Sequence, residues 1–171
     1  IQKDERLARK AAHIISIKGV STITAAVIIA ETNGFELINN IKQLTSYAGY
    51  DVKQNQSGQM NGKTRISKKG NAHIRRAMHL PAFNMIRYKV KPFNHLYSRV
   101  YERTGIKMKA YVAVQRKLLS YMYILWKNEE NFDPEYNLKS YQKSQINKTA
   151  DSNESAALDE LETNQILFSI T

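Results

Sequence analysis

Residues 56–76 place a single hydroxyl beside a concentration of positive charge. Ser57 precedes Gly58 in a polar stretch, and an oxygen nucleophile next to cations is what attack on a phosphodiester requires. No acidic residue interrupts the stretch, whose basic residues are Lys63, Arg65, Lys68, Lys69, Arg75 and Arg76. These six cations are predicted to contact nucleic acid. The alternative is a basic loop that binds without doing chemistry, as most basic runs do.

Two further features offer groups that bind phosphate. Gly19 and Ser21 lie in a break between two helical segments, which resembles a helix-hairpin-helix whose backbone N–H groups face a phosphate. An ordinary turn between helices is the alternative. Asn71 is predicted to cap the helix that carries Arg75 and Arg76. Cations near the start of that helix oppose its dipole, which indicates a nearby external anion and places Asn71 in the same predicted interface.

Positive charge is distributed unevenly along the 171 residues, whose net charge is +11. Residues 1–128 contain 23 of the 26 lysines and arginines and only six acidic residues, a balance of +17. Residues 129–171 contain three lysines and nine acidic residues, a balance of −6. The basic part is therefore expected to bind a polyanion.

Several classes of protein are disfavoured by what the sequence lacks. Cysteine is absent, which excludes disulfides and thiolate metal sites and fits a reducing cytoplasm. The four histidines have no paired spacing that suggests metal ligands, so no metal is expected in this domain. No apolar run approaches a membrane span, and no Walker loop or dinucleotide fingerprint is present.

Apolar residues at three- and four-residue steps predict an all-α fold, a compact bundle of about five to six helices. The helices are predicted at about 3–15, 23–32, 41–48, 71–88, 92–103 and 107–127, the last being the central core helix. Residues 23–32 are apolar on nearly every side and are predicted to be buried. Pro81 is predicted to kink the fourth helix. Most tyrosines on these helices are predicted to pack in the core, and about 49–69 is predicted to be a long polar loop or short hairpin.

Composition divides the chain into three parts. Residues 1–15 are predicted to end a preceding helix, with a coiled coil that dimerises the protein as one alternative. Residues 16–128 form the helical domain that contains Ser57. Residues 129–171 form an acidic, polar and largely flexible tail. Because the sequence starts at Ile1 rather than Met, we expect a piece of a longer protein.

The order and spacing of five segments resemble a known family, the C-terminal transposase domain of the insertion-sequence 110/116/902 family, related to the Piv and MooV DNA recombinases. The resemblance covers roughly residues 10–128. It rests on IKGVSTITAA at 17–26, QLTSYAGY at 43–50, QSG at 56–58, RISKKGNAHIRR at 65–76 and AVQRKLL at 113–119. Each segment alone is modest, but the set is specific.

This resemblance implies a composite active site. Members have an N-terminal RuvC-like domain whose four acidic residues hold divalent metal, here expected to be Mg²⁺, and a C-terminal serine that forms a covalent phosphoserine link to DNA. In this sequence that serine corresponds to Ser57, although Gln56 replaces the first of the two serines found in many members. Ser67 is the other candidate for the nucleophile, but a role as a helix cap suits it better.

The resemblance also bears on partners. It implies DNA as the substrate, the RuvC-like domain of the same protein as a partner, and a homo-oligomer in the intact protein. Some members use a structured guide RNA, which leaves that partner open. The chain alone is expected to bind nucleic acid without cleaving it. The alternative function is a non-catalytic helix-hairpin-helix module that grips nucleic acid.

Overall fold

The computed structural model describes residues 5–53, 56–57, 60–61 and 65–135, with the backbone alone for residues 53, 56, 57, 60 and 61. Within these residues the fold is all-α, as predicted, with two short pairs of strands. In chain order the elements are α1 (Glu5–Ile15), α2 (Thr22–Glu31), α3 (Ile41–Tyr47), β1 (Val52–Lys53), β2 (Gln56–Ser57), β3 (Met60–Asn61), β4 (Arg65–Ile66), α4 (Ala72–Ala77), α5 (His79–Arg87), α6 (Lys91–Thr104) and α7 (Lys107–Asn128). No helix in these ranges is long and apolar enough to cross a bilayer.

Helix α7 is the central core helix, as its apolar pattern predicts. It packs against α1, α3, α5 and α6, and the apolar side chains on two of its faces are buried. Phe35, which follows α2, packs against two aromatic rings of α7. The distances between ring centroids are 5.6 Å to Tyr123 and 5.8 Å to Trp126. The Tyr123 hydroxyl also donates to the carbonyl of Ile38, so α7 fixes the connection between α2 and α3.

Helix boundaries follow local chemistry. Ser21 caps α2 by accepting from the Thr24 amide, and Asn71 caps α4 by accepting from two amides of its first turn. Pro92 lies in the first turn of α6, where a missing N–H costs nothing, and Gly105 ends that helix with a left-handed φ of 66°. These four boundaries agree with the sequence.

Two expectations differ from the structure. The helix predicted at 71–88 is divided into α4 and α5 at Met78, three residues before Pro81. Proline has no N–H for the carbonyl of Ala77, so the helical ladder is interrupted one turn earlier than the proline itself. Helix α2 is buried on one face only, against α1 and α4, and Ile23 is 77% exposed. The segment predicted as a polar loop or short hairpin contains two antiparallel strand pairs, in agreement with the hairpin alternative.

The start of the predicted tail packs back onto α1. Lys10 pairs with Glu129 at 2.9 Å, and this contact lowers the pKa of the Glu129 carboxyl. The Phe132 amide donates to the Ser16 hydroxyl at 2.8 Å, and the Phe132 ring stacks against Phe93. A compact unit therefore extends to Asp133. Residues 136–171, most of the predicted tail, lie outside the described residues, and the predicted division into domains stays a prediction.

A buried polar chain connects α7 to the segment that follows α3. Tyr50, 1% exposed, donates its hydroxyl to Gln115 Oε1 at 3.1 Å. The amide Nε2 of Gln115 lies 3.1 Å from His79 Nδ1, to which it donates. Burial raises the pKa of Tyr50 well above its usual value near 10, against a smaller opposing effect of the nearby Arg75 charge. The folded protein therefore holds the Tyr50 proton more tightly than the unfolded chain does.

We expect Tyr50→Phe to lower the free energy of unfolding by about 1–2 kcal/mol at pH 7, because Gln115 Oε1 loses its donor while remaining buried. The stabilisation from the neutral phenol is complete below pH 10 and is lost as the pH rises above 10. The variant should therefore depend less on pH than the wild type above pH 10. Urea unfolding at pH 7 and at about pH 10.5 measures both effects.

Tyr47→Phe is the matched control, because the Tyr47 hydroxyl donates to the Glu31 carbonyl at an exposed site. It should cost only a few tenths of a kcal/mol and keep the alkaline dependence. A Tyr50→Phe protein as stable as the wild type, with the same loss of stability above pH 10, would contradict the assignment.

Candidate nucleic-acid interface

Ser57 lies in a pair of strands nested inside another pair. β1 pairs with β4 in antiparallel register, Val52 with Ile66 and Lys53 with Arg65. Between them in the sequence, β2 pairs with β3, and Ser57 is directly opposite Met60. We call these four strands the serine arm. Ser57 is the last paired residue of β2.

The base of the arm is a second antiparallel contact between residues 47–51 and 67–71, which we call the clasp. The Ser67 amide donates to the Asp51 carbonyl at 2.6 Å and the Asn71 amide donates to the Tyr47 carbonyl at 2.8 Å. Gly70 has a φ of 159°, and a Cβ at this position would lie 2.5 Å from the Tyr47 oxygen and 2.6 Å from the Gly49 nitrogen. The two segments of the clasp therefore approach each other at a distance that only a glycine permits.

Arg75 ties the clasp together. Its Nη1 donates to the carbonyls of Ala48 at 2.9 Å, Gly70 at 3.1 Å and Asn71 at 3.3 Å. These carbonyls belong to both sides of the clasp. The side chain is half-buried, whereas the neighbouring Arg76 is exposed. A structural role therefore accounts for Arg75 independently of its predicted contact with nucleic acid.

Asn71 is likewise engaged inside the protein. Its Oδ1 accepts from the amides of His73 and Ile74, and its Nδ2 donates to Glu31 Oε2 at 2.6 Å. Glu31 ends α2, and its carbonyl accepts from the Tyr47 hydroxyl. Asn71 therefore connects α2, α4 and the clasp, a role that its prediction as a cap only partly anticipated.

Four predicted cations surround the clasp with their side chains exposed: Arg65, Lys68, Lys69 and Arg76. None of them forms an ion pair with another residue that the structure describes. Arg75 and Arg76 fall in the last turn of α4, because α4 ends at Ala77. There they complement the helix dipole, so the argument from an opposed dipole is wrong for these two residues, and what remains is a concentration of uncompensated cations at the base of the arm. Lys63 lies outside the described residues.

The turn that contains Gly19 packs against α5. A Cβ on Gly19, whose φ is 97°, would lie 3.0 Å from both the Asn84 Cβ and the Met85 Cε. The Gly19 carbonyl accepts from Asn84 Nδ2 at 3.3 Å. Ser21 is exposed and lies at the N-terminus of α2, whereas Glu31, at the C-terminus of this helix, contacts the clasp. Ten helical residues span about 15 Å, so the structure does not bring Gly19 and Ser21 together with the basic residues.

Sequence reasoning missed Glu31, Tyr50 and Gln115. The signals were present: Tyr50 closes the second segment that resembles the family, and Gln115 is a polar residue in the buried face of α7. Neither signal indicates which partner the side chain meets. Across the described ranges, histidines and acidic residues form no group that could hold a metal ion.

We expect Arg75→Gln to lower the free energy of unfolding by about 1–3 kcal/mol, because three carbonyls lose a charged donor. Arg76→Gln removes the same charge from an exposed neighbour and should stay within about 0.5 kcal/mol of the wild type. Urea unfolding of both variants under one condition makes the comparison. Equal stabilities for the two variants would show that Arg75 does not hold the clasp.

Two comparisons show which known proteins the chain is similar to. Residues 11–98, half of the chain, match the model of the family described as Transposase IS116/IS110/IS902. The pilin gene-inverting protein of Moraxella bovis is 24% identical over 128 residues, which is 74% of this chain and 40% of that protein. The chain thus spans less than half the length of this curated relative. The match over residues 11–98, which include α2–α5 with the serine arm and the clasp, shows that the chain belongs to the IS116/IS110/IS902 transposase family.

Proposed function

We propose that this chain is the C-terminal domain of a DNA transposase or site-specific recombinase and that Ser57 is its nucleophile. The observation that carries the proposal is the position of Ser57, at the end of an arm whose base is surrounded by four exposed cations. Attack of the Ser57 hydroxyl oxygen on a DNA phosphorus forms a phosphoserine bond, and one bridging oxygen leaves as a sugar hydroxyl. The strand end is then held covalently until a second hydroxyl displaces the serine.

The basic residues divide into two roles. Arg65, Lys68, Lys69 and Arg76 contact the phosphates that flank the reacting one. Arg75 acts through the clasp and fixes the direction in which the arm leaves the body. Lys63, in the same basic run, is a further proposed phosphate contact.

The remaining catalytic groups are proposed to lie in a RuvC-like domain of the same protein. The described residues contain no metal-ligand cluster, so carboxylates elsewhere would hold Mg²⁺, which polarises a phosphate when bound. The relative's name states that it inverts a gene, and this chain spans 40% of that relative, which leaves room for such a domain. The proposals that the intact protein is a homo-oligomer and that it uses a structured guide RNA rest on the family resemblance alone.

The helix-hairpin-helix alternative has less support. The carbonyl of Gly19 accepts from Asn84 and the turn packs on α5, as an ordinary connection between helices does. The non-catalytic alternative therefore reduces to the basic clasp binding DNA while Ser57 does no chemistry.

We expect Ser57→Ala in the intact protein to abolish the covalent protein–DNA adduct while retaining DNA binding. Ser67→Ala is the matched control, because the Ser67 hydroxyl lies in the clasp, where it accepts from the Lys69 amide at 3.3 Å. Denaturing gels of protein incubated with end-labelled DNA measure the adduct. Persistence of the adduct in Ser57→Ala, or its loss in Ser67→Ala alone, would overturn the assignment of Ser57.

We expect the affinity of the chain for duplex DNA to fall steeply as salt rises. Lys68→Gln, Lys69→Gln and Arg76→Gln should each reduce the slope of log affinity against log salt by about one, because each removes one phosphate contact. Lys127→Gln, at the far end of α7, is the matched control and should keep the slope. Fluorescence anisotropy at several salt concentrations gives these slopes, and equal slopes for all five proteins would remove the clasp cations from the interface.

A further inference from the structure

Four aromatic rings from three helices form a continuous row on the surface. The Phe83 ring on α5 stacks on the Tyr111 ring of α7, with 6.2 Å between centroids and 17° between planes. Tyr111 meets Tyr97 of α6 edge to face at 5.1 Å, and Tyr97 stacks on Tyr101 at 6.0 Å and 19°. We call these four rings the aromatic ladder.

The ladder is open to solvent at both ends. Phe83 is 44% exposed and Tyr101 is 37% exposed, while Tyr97 and Tyr111 are half-buried. One helical turn from Phe83 and from Tyr111, Leu80 and Met108 are also exposed. Core packing, predicted for most of these tyrosines, describes Tyr121 and Tyr123 and in part Tyr97, which packs against the core, whereas Tyr101 is exposed. A contiguous apolar patch of this kind on a charged protein marks a binding surface.

The charge around the ladder indicates the chemistry of its partner. The three helices that build it contain nine lysines and arginines and a single acidic residue, Glu102. Burial lowers the pKa of Lys117, and the charge of the nearby Arg99 lowers it further. A complementary partner offers flat apolar faces together with dense negative charge. Unpaired bases on a phosphate backbone have both properties.

The ladder begins one helical turn from groups joined to the clasp. His79 and Phe83 are four residues apart on α5, as Tyr111 and Gln115 are on α7. Gln115 contacts His79 at one level, and Phe83 contacts Tyr111 at the next. Gln115 also accepts from Tyr50, which belongs to the clasp. The clasp is therefore connected, through Tyr50, to the level of α5 and α7 that lies about one helical turn, 5.4 Å, from the ladder.

We propose that the aromatic ladder binds single-stranded DNA by stacking its unpaired bases on the exposed rings of Phe83 and Tyr101. The inference rests on the proposed function in one respect, that the nucleic acid is DNA. The ladder then receives a strand separated from its complement beside the serine arm. The clasp cations contact phosphates and the ladder contacts bases, so the two surfaces differ in what they recognise.

The test is the double variant Phe83→Leu/Tyr101→Leu, which keeps apolar volume and removes two rings. Anisotropy is measured in the Ser57→Ala chain with a labelled thymidine oligonucleotide, an abasic oligonucleotide of the same length and a duplex. We expect the double variant to bind the thymidine oligonucleotide about tenfold more weakly, with the abasic and duplex affinities unchanged within about twofold. Tyr88→Leu, an exposed ring outside the ladder, is the matched control and should bind all three as before.

Several results would overturn the proposal. Equal losses for the thymidine and abasic oligonucleotides, or no loss at all, would show that bases do not stack on the ladder. A larger effect on single-stranded RNA of matched sequence would assign the ladder to RNA instead. A change in oligomeric mass caused by the double variant, with unchanged affinity for all oligonucleotides, would assign it to a protein partner.

Thermal melting checks that each variant is folded. If the double variant is unfolded, the single variant Tyr101→Leu replaces it. Tyr101 lies on the outer surface of α6, so a smaller loss confined to the thymidine oligonucleotide is expected from it. The affinity measurement requires no covalent step. A result that rejects base stacking on the ladder therefore does not affect the proposal that Ser57 forms an adduct. An absent adduct likewise leaves the base-specific affinity measurable.

Discussion

The close approach of residues 47–51 to residues 67–71 is the constraint on which the candidate site depends. Gly70 allows two backbones to meet where a single methylene would collide with a carbonyl oxygen at 2.5 Å. Arg75 then bonds carbonyls from both sides, and Asn71 carries the connection to the end of α2. The serine arm leaves the body between these two segments, and its base is held by their backbone contacts together with Ile66 of β4, which packs against the hydrophobic core.

Positive charge in this protein serves two purposes that composition cannot separate. Arg75 and Arg76 are adjacent and identical in type, yet one guanidinium is directed at carbonyls and the other at solvent. A half-buried arginine that bonds backbone oxygens stabilises the fold, whereas an exposed arginine is free to meet a phosphate. The basic run is therefore better understood as a structural tie flanked by an electrostatic surface.

Local signals in the sequence predict the helices well. Asn71, Ser21, Pro92 and Gly105 mark their boundaries because each satisfies or omits a backbone hydrogen bond within one turn. The break at Met78 was missed because the effect of Pro81 falls on the preceding turn. Ile23 was predicted to be buried because apolarity was visible and the packing partners of α2 were not.

Contacts between distant residues are what the sequence could not supply. The bond between Tyr50 and Gln115 joins positions 65 residues apart, and Asn71 meets Glu31 across 40 residues. Helical spacing cannot distinguish the tyrosines of the ladder from those of the core, because both follow the same period and differ only in which helix lies opposite. Ser57 could be proposed from the sequence because its neighbours carry the motif, whereas the clasp at the base of its arm could not.

The length of the arm determines how far a rotation at the clasp displaces Ser57. Ser57 lies five residues beyond Val52, at most about 17 Å along an extended strand. A lever of that length turns a rotation of about 10° at its pivot into a displacement of about 3 Å at its tip. Chemistry at a phosphorus atom tolerates errors of about 1 Å before the rate falls by orders of magnitude. Angular stiffness of the clasp is thus a quantity on which the proposed reaction at Ser57 depends.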